Sequence, residues 1–121
     1  MGNSSHQTNS RNAAVGYDLT VTAASGTTST TADLEGRTLV GIITPASLAS
    51  TSLTIDVSDT DGGTYRTLVD KNSTEFVITV DSTTRQYYFE PVVMAGVRFL
   101  QIEFGTSETA KTVTLVTRPL L

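Results

Sequence analysis

Apolar and polar residues alternate with a period of two through most of this chain. Tyr17, Leu19 and Val21 interleave with Asp18, Thr20 and Thr22. Leu53, Ile55 and Val57 interleave with Thr54, Asp56 and Ser58, and Phe76, Ile78 and Val80 repeat the pattern. A period of two places one face of each segment on a core, so each reads as a half-buried β-strand. Residues 38–44 are instead almost continuously apolar, as in a central strand covered on both faces, and Pro45 ends that run. Further strands are expected at 64–69 and 86–90. A final pair, 97–106 and 112–120, is expected as a hairpin closed by the polar residues between them, with the second strand running to the end of the chain. Asp59-Thr60-Asp61-Gly62-Gly63 is the strongest turn, because both glycines accept positive φ. No segment sustains a 3.6-residue period. The expected fold is therefore all-β: an antiparallel two-sheet β-sandwich of eight strands, arranged as a jelly roll. Leu19, Val40, Ile42, Leu53, Ile55, Val57, Phe76, Ile78, Val80, Leu100, Ile102, Phe104, Val113 and Leu115 are expected in its interior; alternation selects them, except in the continuous run at 39–43, where it leaves the face open.

Residues 1–15 carry no apolar period and are expected to form a flexible N-terminal arm, leaving 16–121 as one β-sandwich domain. Composition agrees. Of 121 residues, 23 are threonine, a β-branched type that favours strands, while only 17% are charged. The formal net charge is −4, and Lys71 and Lys111 are the only lysines. A basic nucleic-acid footprint is missing, so nucleic acid is not an expected partner. No apolar run approaches a membrane span, and the polar start does not resemble a secretory signal. Met1-Gly2 opens like a myristoylation motif, but His6 stands where Ser or Thr is required.

Reactive chemistry is sparse. His6 is the only histidine and there is no cysteine, so neither a hydrolytic triad nor a zinc site has its ligands. Asp59, Asp61 and Gly62 imitate part of a calcium loop, yet Leu68 falls where the bidentate acid belongs, and a hairpin turn is the better reading. Glu90 and Glu103 could pair for glycosidic chemistry, but nothing in the sequence sets their separation. Tyr87, Tyr88 and Phe89 could stack on a sugar, although alternation turns at least one of them toward the core. The expected protein is not an enzyme and needs no cofactor or metal.

Two stretches carry a resemblance. One is Asp33-Leu34-Glu35-Gly36-Arg37-Thr38-Leu39-Val40-Gly41-Ile42, with Pro45, Leu53–Ser58 and Gly62-Gly63-Thr64-Tyr65. The other runs from Val97 to Gly105 and resumes at Thr114-Leu115-Val116-Thr117-Arg118-Pro119-Leu120. In strand and turn spacing they resemble head decoration, or cement, proteins of tailed bacteriophages. The resemblance implies a β-sandwich on the outer capsid surface of the virion, made in the host cytoplasm. Its implied partners are the major capsid protein and further copies of itself as a homotrimer. No catalytic residue is carried over. Arg11, Arg37 and Arg118, the apolar residues Val92, Val93 and Met94, and the terminal Leu120 and Leu121 are the candidate partner contacts. The alternative is a carbohydrate- or receptor-binding jelly-roll module of a fibre, using Tyr65, Tyr87 or Tyr88 with a carboxylate.

Overall fold

A computed structural model describes residues 17–90 and 94–119. The expected arm, and with it Arg11, lies outside the described residues, as do Val92, Val93, Leu120 and Leu121. The elements are β1 (Tyr17–Thr28), β2 (Ala32–Asp33), β3 (Arg37–Ile43), β4 (Ser52–Ser58), β5 (Arg66–Thr67), β6 (Val77–Thr79), β7 (Gln86–Tyr88) and β8 (Phe99–Pro119). The all-β expectation holds at this level, and every ladder is antiparallel.

The expected terminal hairpin does not form. Residues 99–119 make one strand of 21 residues. The polar middle that reads as a turn stays extended because β1 pairs along it: Ala23 faces Lys111, Ser25 faces Thr109 and Gly26 faces Glu108. β8 is consequently the spine of the molecule. Along one edge it pairs with β1 and then β2, and along the other with β3 and then β4. β7 lies outside β3, while β5 and β6 lie outside β4. All eight strands thus belong to one sheet, not to the two separate sheets that the sequence pattern suggests. A strand continuous through both halves joins them.

The sheet curls about the middle of β8. Side chains from even positions (Leu100, Ile102, Phe104, Glu108) are buried before the bend, and odd ones (Val113, Leu115, Thr117) after it. Between them Ala110 adopts φ 52°, a left-handed backbone that breaks the two-residue alternation. On the β1 side Gly26 takes φ 118° and the register with β8 shifts before Thr28. Curling lets the two halves share one core. Val21, Ile42, Val113 and Leu115 from one half join Leu53, Ile55, Leu100 and Ile102 from the other, all fully buried. Thr30 N–H donates to the Thr22 carbonyl at 3.0 Å, tying the halves together along the β1–β2 side.

The expected interior is otherwise recovered, with one correction. Val40 is only half-buried, and Leu39 is buried in its place. The ladder to β8 shifts between Leu39 and Gly41, so Val40 is an extra residue, and Leu39 and Ile42 face inward three positions apart. Leu19, Val57 and Phe76 pack against the core at its margin. The Asp59–Gly63 turn joins β4 to β5 as expected, with Gly62 at φ 71° and Gly63 N–H donating to the Thr60 carbonyl at 3.1 Å.

Candidate binding surface

Three polar devices hold the curled sheet. Across the bend of β8, Glu108 is 3% exposed. Its carboxylate accepts from Ala49 N–H at 3.1 Å, Ser50 N–H at 2.7 Å and the Ser50 hydroxyl at 2.6 Å. The Ser50 hydroxyl also accepts from Thr106 N–H at 3.1 Å. Thus the β3–β4 connection is fastened to β8 where regular pairing lapses. Burial pushes the Glu108 carboxyl up, but the hydrogen bonds from Ser50 and Ala49 and the charge of Lys111 outweigh it and hold it below its ordinary range. The pattern of the sequence offers no sign of this residue, because Ser-Glu-Thr reads as a turn. At the start of β8, Arg98 grips Asp33 through Nε–Oδ1 at 2.5 Å and Nη2–Oδ2 at 3.1 Å. That hydrogen-bonded charge pair holds the Asp33 carboxyl low. On the outer face beside Asp56, Thr28 donates to Glu103 at 2.7 Å. Burial, then the charge of Glu103, pushes the Asp56 carboxyl up.

The anticipated contact residues divide. Arg37 and Arg118 lie on neighbouring strands but on opposite faces of the sheet, because Arg37 faces Pro119 and Thr38 faces Arg118 in the β3–β8 ladder. Both are half-buried, and Arg118 Nη1 donates to the Thr117 carbonyl at 2.9 Å. Met94 is fully buried within the core cluster, so in this chain it packs the interior and is not presented on the surface. Glu90 lies beyond the end of β7 while Glu103 is within β8, and it is Asp56 that neighbours Glu103. Tyr65 hides its hydroxyl. Tyr88 is 64% exposed and its hydroxyl accepts from Gln86 Nε2 at 2.6 Å. Among the described residues no three His, Cys, Asp or Glu side chains converge as a metal site requires, and no helix is long and apolar enough to cross a membrane.

The most distinctive surface lies along β6 and β7. Two hollows adjoin there and share Phe76 and Val77. One, of about 440 Å³, is lined by Phe76–Thr79 and Tyr87–Glu90. The other, of about 400 Å³, is lined by Leu68–Asp70 and Thr74–Val77. Phe76 and Phe89 meet edge to face across the first, with ring centroids 5.2 Å apart. Among the described residues the large exposed apolar side chains are Val69, Val77 and Tyr88, and all three belong to this region. No Cα of β6 lies within 8 Å of a Cα of β7, whereas paired strands lie about 4.8 Å apart. β6 and β7 are therefore not paired, and the Phe76–Phe89 ring contact spans this side, unlike the hydrogen-bonded β1–β2 side. In comparisons with known proteins the chain matches no family model and no curated sequence.

Proposed function

We propose that this chain is a structural protein that binds the outer surface of a tailed-phage capsid and stabilises it by bridging major-capsid subunits. The observation that carries the reading is the open side of the sheet. Two edge strands lie there with Val69, Val77 and Tyr88 exposed beside them. Free edges and grouped apolar side chains favour contact with other polypeptides. The resemblance of residues 33–65 and 97–120 to decoration proteins supplies the shell as partner and the virion surface as location. In this reading the curled sheet is a joined-up form of the jelly roll. Assembly as a homotrimer lets modest contacts add through effective concentration. Arg37 and Arg118 belong to that contact set with Arg11, Val92, Val93, Leu120 and Leu121.

The test is co-sedimentation with emptied phage heads stripped of accessory proteins, alongside sedimentation of the free protein. Saturable binding and a trimer are expected. A monomer that leaves the heads bare overturns the reading. A carbohydrate-binding module is the second reading, favoured by Tyr88 and Glu90 lining one hollow, with Gln86 bonded to the Tyr88 hydroxyl. A glycan array separates the two, since the capsid reading expects no glycan to bind.

A further inference from the structure

The free edge of β6 is defined by its hydrogen bonds. Val80 N–H donates to the Thr51 carbonyl, and Ile78 faces Leu53 in the same ladder. Antiparallel alternation then turns the N–H and C=O of Val77 and Thr79 away from β4. In the same way, Phe89 N–H donates to Val40 and Thr44 N–H to Arg85, which turns the main chain of Gln86 and Tyr88 outward from β7. No partner for these outward groups occurs among the described residues. The two rows border the larger hollow, whose wall is aromatic and aliphatic. Glu90 lines that hollow and Glu75 lines its neighbour. Both carboxylates are exposed, and no cation of the described residues lies within ion-pair distance of either. The nearby Arg85 is bound to Asp81 at 2.9 Å.

We infer that the open side is a docking site for an extended polypeptide segment of a partner protein, one that alternates apolar residues and carries a basic residue at one end. The segment adds as a strand to the free edge of β6, bonding to Val77 and Thr79. Its apolar side chains lie on Val77 and Tyr88, which share the outer face, and its Lys or Arg at the Phe76–Phe89 end meets Glu75 and Glu90, which flank that ring pair. Main-chain bonds supply affinity in such an addition, and side-chain pockets and charges supply selectivity. A neutral small molecule would use the aromatic wall but leave both the edge groups and the carboxylates unanswered. The inference deepens the proposed function, resting on its premise that the chain works by binding protein, but it does not require that the partner be a capsid.

The experiment titrates the full chain with the synthetic peptide acetyl-Arg-Thr-Val-Thr-Val-Thr-Arg-amide, whose Arg at each end brings one to the carboxylates in either strand direction, and follows it by amide NMR and hydrogen exchange. Saturable shifts centred on Val77, Thr79 and Tyr88 are expected, with new protection at the Val77 and Thr79 amides. The same peptide with both Arg replaced by Glu should bind about tenfold more weakly. In the double variant Glu75→Lys/Glu90→Lys the preference should reverse. Both positions are exposed, so an unchanged thermal midpoint confirms that this variant is folded. Equal affinity for the two peptides, shifts centred elsewhere, or no saturable shift overturns the inference. Simple sugars perturbing Tyr88 where the peptide does not would assign the site to glycan instead. If the peptide binds but phage heads do not, only the capsid reading falls. If heads bind and the peptide does not, only this site falls.

Discussion

At the scale of single residues, Glu108 carries the most structural consequence. A buried carboxylate that accepts main-chain N–H groups leaves those donors unsatisfied when it is removed. Glu108→Ala should therefore cost about 1–3 kcal/mol at neutral pH. Its folded pKa lies below the unfolded value near 4.5, so its contribution is complete above that value and is lost as pH falls through the folded pKa. Urea midpoints of the wild type and Glu108→Ala should converge on acidification, and a constant gap would refute the clasp. Asp56 has the opposite sign. Burial and Glu103 raise its folded pKa, so its charged form works against the fold at pH 7. Asp56→Asn should raise the thermal midpoint at neutral pH, with the gain vanishing well below the unfolded pKa. Ala110 holds a left-handed backbone at φ 52°. Removing its Cβ relieves roughly 1 kcal/mol of strain, partly offset by the greater freedom of an unfolded glycine. A modest net stabilisation of Ala110→Gly in urea is the expected sign.

At the scale of elements, β3 shows how a bulge rewrites a pattern. Residues 38–44 are apolar on both sides, so alternation cannot choose between Leu39 and Val40. The shift against β8 makes the choice, and it buries Leu39. Leu39→Ala should lose about 2–5 kcal/mol, as for other large core truncations. Val40→Ala, at a half-buried site, should lose clearly less. Comparable urea midpoints for the two variants would contradict the bulge. The β4–β5 hairpin was legible because Gly62 and Gly63 state their backbone needs locally. β8 was not, since Gly105 and the polar residues after it give the same local signal as a turn. The ladder with β1 and the bonds to Ser50, both tens of residues away, keep that stretch extended.

For the whole molecule, β8 touches both halves, so unfolding should be a single cooperative event. Thr114 faces Thr20 on one side and Ile43 on the other. A proline there should disrupt the central ladder and cost about 3 kcal/mol or more. Thr79, whose N–H points away from β4, should accept proline with little loss of stability. Circular dichroism melts of Thr114→Pro and Thr79→Pro make the comparison. Equal destabilisation would show that the β6 edge is not free, which also bears on strand docking there.

Period-two alternation, threonine richness and glycine turns were sufficient to determine an all-β chain and most of its buried positions. These are local properties: side-chain direction in a strand depends on neighbouring dihedrals, and a turn glycine on its own φ. Tertiary structure decided what depends on partners distant in sequence. It made 99–119 one strand, shifted the face of β3, buried Met94 and closed Glu108 over Ser50. It also set the aromatic residues at 76 and 87–89 around one open edge. Each of these outcomes turns on which main-chain groups find a partner across the fold, and strand pairing between distant segments leaves no periodic mark in either segment alone.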